Sequence, residues 1–187
     1  MTTYISLLRG INVSGKNLIK MKELKVIYEQ LGFKNIQTYI QSGNVLFQYK
    51  KEATRSLEKK LQQALLEATG MNVPFFIFEF PTFKTIYDNN PYLNEKDHSN
   101  DSLYFLFLQT APEKIDLSPI LSMKADHESF IQKGTVIYLS FPNGLGKTKL
   151  TNTFFEKTLK TNGTIRNRNT VLKLIEIAAS LESATIH

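Results

Sequence analysis

The sequence predicts an α+β protein built from two tandem plaits with antiparallel sheets. Three observations predict it. Apolar residues in 1–80 change spacing in the order β-α-β-β-α-β. The second half repeats β-α-β-β-α. In each half a glycine in a short gap joins the two central strands, the mark of a tight hairpin.

Thr3-Tyr4-Ile5-Ser6-Leu7-Leu8 is short and mostly apolar, as a buried strand is. A polar loop from Arg9 to Asn17 follows. Met21, Leu24, Ile27, Tyr28 and Leu31 then recur at helical spacing, and Gly32 is a fitting stop. Ile36–Gln41 and Asn44–Tyr49 read as strands joined at Ser42-Gly43. Leu57, Leu61, Ala64, Leu65 and Ala68 line one face of a second helix, closed by Thr69-Gly70. Val73–Phe80 reads as a further strand, with Pro74 suited to its start. This order is that of the ferredoxin-like fold.

Residues 81–100 are polar, carry Asn89-Asn90-Pro91 and read as a linker between domains at 1–80 and 101–187. Leu103–Leu108 is a strong strand. A short helix is expected around Pro112–Met123, then a hairpin of His127–Gln132 with Thr135–Phe141 across Lys133-Gly134. A helix follows from Lys147 to Lys160. This second plait lacks a clear last strand; Thr164-Ile165-Arg166 is the single candidate. A C-terminal helix uses Val171, Leu174, Ile175, Ala178 and Leu181.

The 187 residues are 42% hydrophobic and 21% charged, which is ordinary globular usage and excludes disorder. Absence of cysteine removes disulfides, thiolate metal sites and cysteine nucleophiles together. No apolar run approaches the roughly 20 residues that span a bilayer, and the first residues do not read as a secretory signal. The expected setting is cytoplasmic, with no membrane partner. A net charge of +6 favours anionic partners, although the lysines are dispersed.

Several stretches together are specific. They are Leu7-Leu8-Arg9-Gly10-Ile11-Asn12-Val13, Gly32-Phe33, Thr38-Tyr39-Ile40-Gln41-Ser42-Gly43-Asn44-Val45, Tyr138-Leu139-Ser140-Phe141-Pro142, and Thr164 through Leu174. In these the chain resembles the family named domain of unknown function 1697. The resemblance implies an uncharacterised bacterial-type cytoplasmic protein of ferredoxin-like fold, and it implies no activity. Members often carry Gly where this chain has Ser14, and Trp where it has Arg168.

Two loops suggest phosphate chemistry. Gly10-Ile11-Asn12-Val13-Ser14-Gly15-Lys16-Asn17 follows a strand with the glycine and lysine spacing of a P-loop. The Ser or Thr needed for magnesium is Asn17, and the helix begins too late to aim its N-terminus at a phosphate. Asn143-Gly144-Leu145-Gly146-Lys147-Thr148 has the lysine and threonine, and its expected helix follows directly. Phe141 replaces its first glycine, and a turn with a Thr cap explains it more simply. Arg166 and Arg168 either grip phosphate or carboxylate bidentately or simply stay solvated, with Asn167 or Asn169 capping the last helix.

An RNA-recognition reading fails on the third strand, which lacks the stacking aromatics; Tyr4 alone reads more simply as core. His98, His127 and His187 are isolated, and Asp126-His127-Glu128 has the wrong spacing for a metal. The function expected is therefore binding of a small anionic ligand. The candidate contacts are Arg9, Gly10, Asn12, Gly15 and Lys16 in one loop, with Gly144, Gly146, Lys147, Thr148, Arg166 and Arg168 in the second half. No cofactor or metal is expected. Rival readings are an enzyme using Asp126 or Glu128 as base, an interaction or oligomerisation module, and a non-specific nucleic-acid binder. The oligomeric state stays open.

Overall fold

The computed structural model describes residues 1–94, 99–112 and 116–185. The chain divides into two units, Met1–Thr85 with Lys173–His187, and Ile86–Leu172.

The first unit holds β1 (Thr2–Leu8), α1 (Met21–Gln30), β2 (Lys34–Tyr39), β3 (Asn44–Tyr49), α2 (Thr54–Thr69) and β4 (Phe75–Glu79). The strands form one antiparallel sheet in the order β2-β3-β1-β4. Alternation along β1 sends Tyr4, Ser6 and Leu8 toward the helices and Thr3, Ile5 and Leu7 to the other face. Leu24 and Tyr28 of α1 and Leu57, Leu61 and Leu65 of α2 meet Tyr4, Val45 and Phe47 in one core. Burying each such side chain stabilises by roughly 1.5–3 kcal/mol. Aromatic rings stack within it, Tyr4 on Phe47 at 5.3 Å and Phe33 on Phe47 at 4.5 Å. The Tyr28 hydroxyl lies wholly inside and donates to Ser6 Oγ at 2.9 Å. Burial raises its pKa, because a phenolate there would lose its hydration; the Ser6 bond opposes this only in part.

The second sheet face also carries polar groups. Gln48 Nε2 donates to Thr3 Oγ1 at 3.1 Å and to the Leu181 carbonyl at 3.3 Å. Leu181 belongs to α6 (Arg168–Thr185), so this amide ties the last helix to the first unit's sheet. At the opposite edge, the Ile77 N–H of β4 donates to Glu58 Oε1 at 3.2 Å. A carboxylate thus covers a donor that an edge strand otherwise presents to other chains.

The second unit contains β5 (Leu103–Leu108), α4 (Ser118–Met123), β6 (Ser129–Lys133), β7 (Val136–Ser140), α5 (Asn152–Leu159) and β8 (Gly163–Asn167). Its sheet order, β6-β7-β5-β8, repeats the first. Leu106, Leu139, Phe141, Leu150 and Phe155 form the core under α4 and α5.

Four expectations are corrected. A last strand exists in the second plait: Thr164-Ile165-Arg166 lies within β8, which pairs with β5 along Phe105↔Arg166 and Phe107↔Thr164. The sequence hid it because a five-residue edge strand carries little apolar periodicity. The helix expected from Lys147 begins only at Asn152, since Thr151 Oγ1 caps it by accepting from Phe154 N. The segment expected as a linker carries α3 (Phe80–Asp88) and two 3-10 turns, Pro91–Asn94 and Asn100–Ser102. The helix expected from Pro112 is Ser118–Met123, with 113–115 outside the described residues. His98 and His187 also lie outside them.

Candidate functional site

In the first unit, Arg9, Gly10, Asn12, Gly15 and Lys16 share one loop, which folds as a small hairpin. Ser14 and Gly15 have φ of 50° and 72°. Two successive positive values define the I′ turn that joins antiparallel strands. The Lys16 N–H donates to the Val13 carbonyl at 2.9 Å, and the Asn12 N–H to the Asn17 carbonyl at 3.1 Å. Ladder bonding of this kind turns backbone donors inward in pairs. Asn12, itself at φ 54°, uses its whole side chain locally. Its Nδ2 donates to the carbonyls of Ile19 at 3.0 Å and Gln41 at 2.9 Å, and its Oδ1 accepts from Ile19 N at 2.9 Å. Asn17 Nδ2 donates to the Gly10 carbonyl. The Arg9 N–H donates to the Pro74 carbonyl. Asn12 is therefore a clamp between the loop and the Gln41 segment. Lys16 remains exposed at the tip.

The clamp explains why two separated motifs belong together. Asn12 grips the Gln41 carbonyl, and Gly43 passes against Leu8 and Ile11. A Cβ on Gly43 would sit 2.8 Å from Leu8 Cβ and from Ile11 Cδ1, and φ there is 74°. Ser14 takes a left-handed conformation that glycine adopts at less cost, which is why glycine suits that position.

The second unit scatters its candidates. Gly144, Gly146, Lys147 and Thr148 lie in a loop of successive turns: Gly144 N donates to Phe141 O, and Lys147 N to Gly144 O. Thr148 is buried, and its Oγ1 accepts from Leu150 N at 3.0 Å. No helix N-terminus stands directly behind Lys147, since α5 begins at Asn152. Leu145 N donates to the Tyr104 hydroxyl, so the loop joins the Tyr104 face of the sheet. Arg166 is paired opposite Phe105, the next residue along β5, and so lies on the other face. Loop and arginine do not converge.

Arg166 is 9% exposed, with Nη1 bonded to Thr164 Oγ1 at 2.7 Å and to the Ile165 carbonyl at 2.9 Å. Burial pulls its pKa down to about 10. Its Nη1 braces β8 from within. Arg168 lies over the Tyr87 ring at 5.8 Å, and Tyr87 stacks on Phe105. Asn167 Oδ1 caps α6 through Thr170 N at 2.8 Å, while Asn169 donates to Asp101. His127 Nε2 meets Asn143 Nδ2 at 2.9 Å. The candidate base Glu128 is buried and holds Ala125 N at 3.0 Å. No group of three or more metal-ligating side chains occurs among the described residues, and none of their helices is long and apolar enough to cross a membrane.

A concave site lies away from both loops, beside β2. A groove of about 480 Å³ in the first unit is bounded by α1, β2 and Leu181. Phe33, Ile36 and Leu181 border it but are themselves buried, so its accessible lining is more polar than apolar. Its rim is polar, with Lys25, Glu29, Lys34, Asn35 and Gln37. A β-bulge between Lys34 and Gln37, with Asn35 at φ 51°, shapes that rim. Asn35 Nδ2 is anchored on Gln48 Oε1 at 2.6 Å, the same amide that reaches Leu181. Glu29 faces Lys25 at 3.8 Å. Lys34 makes no ion pair among the described residues, so the rim holds one cation in excess. The available signal was Asn35, a residue disfavoured at a strand start. Leu181 had none, because it arrives from the far end of the chain.

The known proteins that resemble this chain give a fold and no activity. A solved structure of a conserved bacterial protein from Streptococcus pneumoniae is similar, with a TM-score of 0.70 and 24% identity. The match covers 95% of this chain and 98% of that one, and it concerns the fold alone. No curated protein matches. The model of a family described as protein of unknown function (DUF1697) matches residues 1–138. With two plaits in tandem and a family model matching residues 1–138, the chain belongs to the DUF1697 family.

Proposed function

We propose that this protein binds a small anionic molecule in the bulged groove of the first unit. The observation that carries this reading is a groove of small-molecule size with a cationic excess at Lys34 on its rim. Lys34 attracts a carboxylate or phosphate at the rim, and Asn35 and Gln37 offer amide donors. The volume falls in the range of small-molecule sites. The anionic preference expected from sequence is retained, and its place moves from the loops to β2.

A thermal-shift panel of sugar phosphates, nucleotides, acyl phosphates and aromatic or branched carboxylates tests it, at low and physiological salt. At least one should raise the melting midpoint. Lys34→Glu should weaken that ligand about tenfold or more, while Lys147→Glu in the second unit should leave it unchanged. A panel with no shift at either salt, or a shift indifferent to Lys34→Glu, rejects the site.

A further inference from the structure

Three aliphatic side chains stand in water at one end of the first unit: Val13 is 55% exposed, Leu18 69% and Ile40 49%. Asn12 gathers them. It is the neighbour of Val13, and its Nδ2 bonds the carbonyls of Ile19 and Gln41, which adjoin Leu18 and Ile40. Ile40 is β-branched yet has φ of 50°. Such strain persists only when the surroundings impose it. The I′ turn and the clamp preset the tip, so little conformational freedom is lost on docking.

The same segment is cationic. Lys16, Lys20 and Lys22 lie within it, and no acidic residue precedes Glu23. Among the described residues Lys16 and Lys22 make no ion pair, and Lys20 approaches Glu23 only to 4.0 Å. Aliphatic tips among lysines narrow the choice of partner. A second copy of this face would set lysine against lysine. Single-stranded nucleic acid needs stacking rings, and no aromatic residue occurs from Arg9 to Lys22. The tip projects as a hairpin and lines no part of the groove. A negative surface with apolar material just beneath it matches both features, which is the chemistry of an anionic bilayer interface.

We infer that the Val13–Lys20 loop and the first turn of α1 dock this protein on anionic lipid surfaces, with Val13 and Leu18 entering the interface and Lys16, Lys20 and Lys22 on the phosphates. The attachment is peripheral and is separate from the ligand groove. The sequence reading excluded a membrane partner on the absence of a spanning run, and a surface contact needs none.

Sedimentation of the full chain with phosphatidylcholine vesicles, with and without phosphatidylglycerol, tests it. Binding should require phosphatidylglycerol and weaken as salt rises. The double variant Val13→Ser, Leu18→Ser should lose at least tenfold in affinity with an unchanged melting midpoint. Lys16→Glu with Lys22→Glu should lose as much, and provides the test if the first variant misfolds. Leu121→Ser, an exposed change in the second unit, should have no effect. Free glycerol phosphate at matching concentration should not displace the protein. Failure to bind phosphatidylglycerol vesicles at low salt overturns the inference, as does binding that survives both variants. Binding that glycerol phosphate abolishes assigns the loop to a soluble phosphate and also overturns it. Lys34→Glu should leave vesicle binding intact, which separates this result from that of the groove.

Discussion

The Arg9–Lys20 loop of the first unit and the Phe141–Thr151 loop of the second are alike in composition and unlike in construction. Both follow a central strand, and both carry glycine, asparagine and lysine. The first is closed by a side chain: Asn12 makes three bonds, reaches a second motif and holds a hairpin at five positive-φ positions from Gly10 to Asn17. The second is closed by its own backbone in consecutive turns, helped by Thr148 and the Tyr104 hydroxyl. Side-chain closure concentrates stability in a few residues, whereas backbone closure spreads it. The same Gly-Lys signal therefore says little about what a loop is for.

Substitutions at matched positions can break this contrast. The largest effect is expected at glycine. Gly43→Ala forces a left-handed alanine against two side chains and should cost about 3 kcal/mol or more by chemical denaturation. Gly144→Ala, at φ 83° but with only the Tyr104 hydroxyl within 4 Å, should cost about 1–2 kcal/mol. Equal losses at the two sites would end the distinction. Next is the clamp. Asn12→Ala leaves two carbonyls and the Ile19 N–H without their partner and should cost about 2–3 kcal/mol. Thr148→Ala should cost about 1 kcal/mol, because it removes a single turn bond. A clamp variant as stable as the parent would refute the role given to Asn12.

The smallest effect concerns pH and the β4 edge. Glu58 has a side chain 14% exposed. Its pKa is raised mainly by burial, against the Ile77 N–H and Arg55, which lower it. The folded state thus holds the Glu58 proton more tightly than the unfolded chain. Its contribution to stability is greatest below the ordinary glutamate range and declines as pH rises through the raised value. Glu58→Gln should flatten that decline when denaturation midpoints are compared across mildly acidic pH. A steeper fall with pH in the variant would reverse the assignment.

Reading of the fold went furthest where apolar spacing was dense. Leu57, Leu61 and Leu65 place α2, and Leu103 to Leu108 place β5, because a buried face imposes its period on sequence. It went wrong where a polar side chain decides the local structure. Thr151, not Thr148, starts α5, and both threonines offer the same hydroxyl. Arg166 read as an anion grip or a solvated side chain because arginine is usually exposed; the pairing Phe105↔Arg166 and its burial show that it lies inside.

Sequence alone determined the β-α-β-β-α-β order of the first plait, the doubling of the plait and the family, since each depends on local periodicity or on contiguous motifs; β8 and α3 it did not. Tertiary structure decided which partners Asn12 and Arg166 hold and that the first loop closes as a hairpin. It alone exposed the groove of Phe33, Lys34 and Leu181 and the aliphatic tip of Val13, Leu18 and Ile40. The physical reason is reach. A groove or a patch is made by residues far apart in the chain, and their exposure depends on what covers them. No spacing rule along one dimension records that.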